Sequence, residues 1–267
     1  MLYLFIFLAG LVFGSFLNVV ILRLPEGQSI VYPGSHCPKC GQKLRWWHNI
    51  PLLSWLLLGG KCAYCKAPIS IQYPLVELGT GFLFLGVFFL HPDIHGLVTA
   101  IVFSLLLALS LIDLQYKAVP DSLNLTAAFL AIFSSPDIWT NLKNALLVAG
   151  ALAMLRFLVS YYVSKKEQMR LKKCIENAPW LTHFYPRFVM IEAMGEGDII
   201  VGFAMGAILG LQKTLVAIFL AALFALPASI YARWRQGEAE LPFIPFLVLG
   251  TLVAYVLGDR IWEMVGV

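Results

Sequence analysis

Eight apolar stretches recur along this chain, at residues 2–22, 74–90, 97–116, 122–135, 142–163, 190–211, 214–232 and 242–258. A helix needs about 20 apolar residues to cross a bilayer core, and most of these stretches approach that length. In lipid every backbone N–H and C=O must be paired within its own element, so stretches of this length fold there as helices. A soluble alternative fails on composition. Soluble domains are about half apolar and a quarter charged, whereas this chain is 60% hydrophobic and 13% charged over 267 residues. The expectation is an all-α, polytopic integral membrane protein of about eight transmembrane helices. The stretch 122–135 and the apolar part after Asp198 are short for a full crossing, which predicts helices that begin inside or just beneath the membrane surface.

The run Leu2 to Leu24 lacks a basic start and a small-residue cleavage site. It reads as a retained first helix rather than a signal peptide.

Charge sets the orientation. Of 19 Lys and Arg, six fall in 23–73 (Arg23, Lys39, Lys43, Arg45, Lys61, Lys66) and six in 164–188 (Lys165, Lys166, Arg170, Lys172, Lys173, Arg187). With eight spans, Lys117, Arg233 and Arg235 join the same side. Lys143, Lys213 and Arg260 fall opposite, and Arg156 lies inside a span. The positive-inside rule then puts 23–73 and 164–188 in the cytoplasm, with both termini outward. The formal charge of +4 leaves no basic face once the spans are removed, so nucleic acid is not an expected partner.

Residues 24–73 form the one sizeable extramembrane unit. Five prolines and five glycines break it into turns that could not build an apolar core unaided. Cys37-Pro-Lys-Cys40 and Cys62-Ala-Tyr-Cys65 supply an alternative staple. Two residues between thiols let a tight turn aim both sulfurs at one ion, and two such turns complete a tetrahedron. The spacing is close to that of zinc ribbons. Rival readings are two redox-active CxxC pairs or bare thiols. Reducing cytoplasm disfavours disulfides, and no thioredoxin-like pattern surrounds either pair. A closed four-thiolate site would be scaffolding, with no position open for chemistry. His36 is a conceivable competing ligand, His48 reads as a loop residue, and Cys174 as an unpaired thiol.

Two acidic residues stand at membrane depth. Asp113 ends Leu-Ala-Leu-Ser-Leu-Ile-Asp at the cytoplasmic end of the third span, and Asp198 closes Gly195-Glu-Gly-Asp198 before another apolar run. A charge in such a place costs on the order of 2.5–3.5 kcal/mol. The plain reading is helix capping. It suits Asp121 after Pro120 and is plausible for Asp198, but it fails for Asp113 because a helix C-terminus disfavours negative charge. Paired carboxylates sharing a proton can activate water: the ionised member takes a proton from it and the protonated member polarises a carbonyl. Gly195 and Gly197 let backbone approach Asp198, and Glu196 is expected to point to solvent. No GxSxG or HExxH occurs. A proton- or metal-coupled transporter with intramembrane aspartates, or a membrane thiol oxidoreductase, are the competing classes.

Taken in order, the motifs resemble those of the type IV prepilin peptidases, the leader peptidase/N-methyltransferases. The similarity runs through Gly14-Ser-Phe-Leu-Asn-Val-Val-Ile-Leu-Arg-Leu-Pro25, the two Cys pairs, Asn49-Ile-Pro-Leu-Leu-Ser54 and Tyr73-Pro-Leu-Val-Glu-Leu78. It continues through Asp113-Leu with Val119-Pro-Asp121, Gly195-Glu-Gly-Asp198 and Leu241-Pro-Phe-Ile-Pro-Phe-Leu-Val-Leu-Gly250. The resemblance implies an aspartic endopeptidase of the bacterial inner membrane with Asp113 and Asp198 as catalytic pair. Its implied substrate is a type IV prepilin or type II secretion pseudopilin, whose short basic leader is cut after a Gly at the cytoplasmic face. It also implies methylation of the new N-terminus from S-adenosylmethionine. The chain departs from the family pattern at Ile199-Ile200, where a Lys usually follows the second Asp. It departs again at Gln72 and around Gly59-Gly60-Lys61, where Arg is usual. The expected division is a first helix at 1–23, a zinc-binding cytoplasmic insertion at 24–73 and a transmembrane peptidase domain at 74–267.

Overall fold

A computed structural model of the chain describes residues 1–177, 192, 195–236 and 241–265, apart from the side chains of 171, 173–177, 233, 235, 236, 264 and 265. Arg187 and the side chains of Lys173, Cys174, Arg233 and Arg235 lie outside the described residues. The helices are α1 (Leu2–Arg23), α2 (Leu53–Leu57), α3 (Gln72–Leu90), α4 (Ile94–Tyr116), α5 (Asp121–Ala131), α6 (Ile138–Asn177), α7 (Glu196–Gln236) and α8 (Ile244–Val265). Six of these are long and apolar enough to cross a membrane, and no strand occurs among the described residues.

The chain is a multi-pass membrane protein, and each of the eight apolar stretches finds a helix. α5, with 11 residues, is the short one. α7 holds two stretches, broken at Gly210, whose φ of 72° and ψ of 174° lie outside any helix. The break is a reversal. Before it, Gly197 lies beside Val119, and Gly206 beside Ala145. After it, Lys213 meets Gly258 near the end of α8, and Ala217 and Ala221 meet Gly250 further back. α7 therefore runs away from the Asp198 end and returns. Thr214 Oγ1 donates to the Gly210 carbonyl over 2.6 Å, occupying a group that the break removes from the helical ladder.

α4 is the central helix. In its apolar window 67% of residues are buried, against 17–44% for the other spans. Leu105, Leu106, Leu109 and Ile112 of α4 join Leu17 and Ile21 of α1, Ala127 of α5, Met205 of α7 and Leu247 of α8 in one core. Lipid is as apolar as these side chains, so close backbone approach decides where helices pair. At Gly10 of α1 an added Cβ would lie 2.8 Å from Gly81 Cα of α3. At Gly206 it would lie 2.8 Å from the Asn144 carbonyl of α6.

α6 does not stop at the membrane edge. The run Lys-Lys-Glu-Gln-Met-Arg-Leu-Lys-Lys consists of strong helix formers, so the helix continues through the basic segment to Asn177. An Arg170–Glu167 pair at 2.9 Å lies on this extension.

Candidate active site and cysteine cluster

Asp113 sits one turn before the end of α4, where Lys117 in the left-handed region (φ 50°) closes the helix by donating its N–H to the Asp113 carbonyl. The Asp113 side chain is buried, 7% exposed. Its Oδ2 accepts from the backbone N–H of Ile244 over 3.2 Å. Ile244 is the first residue of α8, so the carboxylate that is misplaced at the C-terminal end of its own helix faces the favourable N-terminal end of another. The proline-rich Leu241-Pro-Phe-Ile-Pro245 segment supplies that helix start.

Asp198 is half-buried in the first turn of α7 and accepts from the backbone N–H of Gly195. The capping reading of Asp198 is therefore realised locally. It is not the whole account, because the loop that carries Asp198 is tied through the Gly197 carbonyl to Asn124 of α5, the helix that follows Asp113. Asp121 is the acidic residue in the first turn of α5, where its charge suits the helix dipole, and Pro120 takes the N-cap position.

Two further contacts hold the Asp198 loop. Gly197 packs so tightly on Val119 that a Cβ there would lie 3.0 Å from three Val119 carbons. Its carbonyl accepts from Asn124 Nδ2 over 3.0 Å, with Asn124 wholly buried in α5. Glu196 is exposed, as expected, yet also ion-paired: Arg156 of α6 reaches Glu196 and Glu192, each at 3.1 Å. Sequence reasoning missed Asn124 and this role of Arg156. A charged residue inside a span was the available signal for Arg156, whereas one Asn in a helical segment gave none for Asn124.

The four cysteines converge. Their ligand atoms lie within 4.8 Å of one another, and Cys37 Sγ stands 3.8 Å from Cys65 Sγ. Zn–S bonds of about 2.3 Å in a tetrahedron put sulfurs about 3.8 Å apart, so the donor set fits a zinc ion. The two turns are built alike. Gly41 and Lys66, each following the second Cys of a pair, have φ of 69° and 58°. Cys37 N–H bonds the Gln42 carbonyl and Cys62 N–H the Ala67 carbonyl. Backbone N–H groups of Cys40 and Lys39 draw the Cys37 thiol down to about 6, while Cys40 beside it is pushed up to about 11. His48 stacks edge-on against Tyr64, with ring centroids 5.5 Å apart, and stands outside the cluster.

Other motifs meet as well. Asn18 Nδ2 donates to the Tyr73 carbonyl over 3.1 Å, Gly14 lies against Thr80 and Glu77, and Leu52 N–H donates to Glu77 Oε2 over 2.8 Å. Segments scattered from residue 14 to residue 80 thus form one junction between α1, α3 and the residue before α2.

A buried Asp113 and a half-buried Asp198 at helix ends of a polytopic bundle, together with a four-cysteine cluster whose geometry suits a metal ion, define the candidate site. Residues 8–91 match the bacterial peptidase A24 N-terminal domain and residues 100–230 the type IV leader peptidase family. The chain is 37% identical to a prepilin leader peptidase/N-methyltransferase of Myxococcus xanthus, over 88% of this chain and 64% of that protein. It is 35% identical to one of Xanthomonas campestris pv. campestris, over 94% and 89%, and 38% identical to one of Klebsiella pneumoniae, over 78% and 85%. No solved structure matches. This chain belongs to the type IV leader peptidase family. That membership gives no support to the ion-transport reading.

Proposed function

We propose that this chain removes the leader of prepilins by hydrolysing a peptide bond with water held between Asp113 and Asp198. The observation that carries the reading is the tie between the Asp198 loop and the segment after Asp113, 85 positions earlier: Asn124 of α5 bonds the Gly197 carbonyl, and Val119 packs on Gly197. One member of a proton-sharing pair accepts a proton from water as it attacks. The other donates to the scissile carbonyl oxygen, and the pair rather than either residue owns the two roles. The Ile244 N–H fixes the orientation of Asp113, and Asn124, acting through the Gly197 carbonyl, fixes the loop that carries Asp198.

The relatives' names join leader cleavage to N-methylation, and we extend both activities to this chain. Type II secretion pseudopilins belong to the same substrate class, and S-adenosylmethionine is the methyl donor that the resemblance implies. No glycine-rich nucleotide-binding loop occurs in the sequence, and the hydrolytic step at the aspartates does not involve the donor. Zinc held by Cys37, Cys40, Cys62 and Cys65 would staple residues 24–73, with no open position for chemistry. In a bacterial inner membrane, the dyad and residues 24–73 face the cytoplasm, where a basic leader meets the bilayer.

The experiment is cleavage of a purified prepilin by wild-type, Asp113→Asn and Asp198→Asn proteins. Loss of cleavage in both folded variants supports the dyad. Normal cleavage by either one excludes that residue from it.

A further inference from the structure

The segment between the two Cys pairs carries an apolar face that no described residue covers. In α2, Leu53, Leu56 and Leu57 are 58%, 65% and 85% exposed, and spacing i, i+3, i+4 puts them on one side of the helix. Trp46 just before them is 74% exposed. In water such a patch would be costly.

The depth of this segment is set by its contacts. The N–H of Leu52, immediately before α2, donates to Glu77 Oε2 over 2.8 Å. Glu77 is five residues into α3, about 7 Å past the helix start at 1.5 Å per residue. Its Cα faces Gly14 of α1, and Gly14 lies nine residues before the end of α1, roughly 13 Å below Arg23. Both neighbours are membrane-spanning helices. α2 is therefore pinned alongside their ends and not above them. The lipid-facing side of α3 begins there too, with Ile71 62% and Leu75 58% exposed.

We infer that α2 and Trp46 lie in the bilayer surface, with Leu53, Leu56 and Leu57 in the boundary between headgroups and acyl chains, so that the cysteine unit rests on the membrane. The occupant of the patch is lipid. Interfacial helices sink about 5–10 Å into that boundary, of the same order as the roughly 7 and 13 Å by which Glu77 and Gly14 lie inside their helix ends. Trp favours the same zone. Charge agrees: residues 24–73 hold Lys39, Lys43, Arg45, Lys61 and Lys66 against Glu26 alone, and basic groups beside the bilayer are drawn to anionic headgroups. Arg45 stacks over the Trp47 ring at 5.1 Å, which holds a cation beside the aromatic pair. The inference rests on the membrane topology and not on the peptidase reading, and it stands or falls independently of cleavage.

A nitroxide side chain attached through a keto amino acid at position 57 leaves all cysteines intact. The full chain is placed in bilayers of phosphatidylethanolamine and phosphatidylglycerol, and collisions with oxygen and with a water-soluble nickel chelate are compared. A label at position 56 repeats the measurement, and one at Lys39 reports the aqueous face. Oxygen collisions severalfold above nickel collisions at 56 and 57, with the reverse at 39, are expected. Nickel access at 56 and 57 equal to that at 39 would overturn the inference. So would shielding from both reagents, which would mean that protein, either substrate or a second copy, covers the patch.

Discussion

Asn124 Nδ2 donates to the Gly197 carbonyl over 3.0 Å, joining the helix that follows the first aspartate to the residue that precedes the second. Val119 presses on the same glycine from the turn between them. The distance between the aspartates is thus governed by the packing of α5 on the start of α7. Replacing Asn124 by Ala strands a carbonyl and removes a brace, at a cost of about 1–3 kcal/mol. If that cost falls on the transition state, turnover drops roughly ten- to a hundredfold. Steady-state kinetics on a prepilin should show the loss in kcat with KM little changed. An unaltered kcat would separate this bond from catalysis.

The cysteine cluster yields a prediction about metal. Serine at any of Cys37, Cys40, Cys62 or Cys65 removes one thiolate from a four-sulfur set, and zinc content by elemental analysis should fall well below one equivalent. Limited proteolysis should then cut within residues 24–73 faster than in the wild type. Wild-type protein purified without chelators and free of zinc would contradict the assignment.

Glu77 supplies a stability test of the junction. It is 6% exposed and accepts the N–H of Leu52. Glu77→Ala leaves that N–H without its acceptor and should lower stability by about 1–3 kcal/mol. Lys213 and Asp259 pair at 2.8 Å, but the Asp259 side chain is 77% exposed, and Asp259→Asn should change stability by less than about 1 kcal/mol. Equal losses in the two variants, read as thermal midpoints in detergent, would count against this difference in burial.

Gly206 tests helix packing at a distance from the site. A side chain there would meet the Asn144 carbonyl, Ala145 Cα and Val148 Cβ, all within 3.0 Å, and two of these are backbone. Gly206→Leu should push α6 from α7 and reduce both stability and cleavage. At Gly150 an added Cβ would enter open space, with nothing within 4 Å, so Gly150→Ala serves as the tolerated control.

Much of this was legible in the sequence, for physical reasons. Spans announce themselves because lipid tolerates few charges, and the four cysteines because metal geometry fixes their spacing. Asp113 stood out because a carboxylate at the end of an apolar helix is unfavourable without a partner. That partner, the N–H of Ile244, lies 131 positions away and has no local sequence mark. Asn124 was invisible for the same reason. The reversal at Gly210 fell just inside the end of the stretch 190–211, where its glycine resembled any other in an apolar run. The length of α6 was missed because positive charge marks the membrane edge but does not end a helix.

The most direct measurement is the mass of a prepilin after incubation with purified wild-type, Asp113→Asn and Asp198→Asn proteins, each checked for a native thermal midpoint. Wild type should release the leader, and each variant should be slower by at least about a hundredfold, the usual size of a lost acid–base contribution. Leader release by either folded variant at the wild-type rate would contradict the paired-aspartate account.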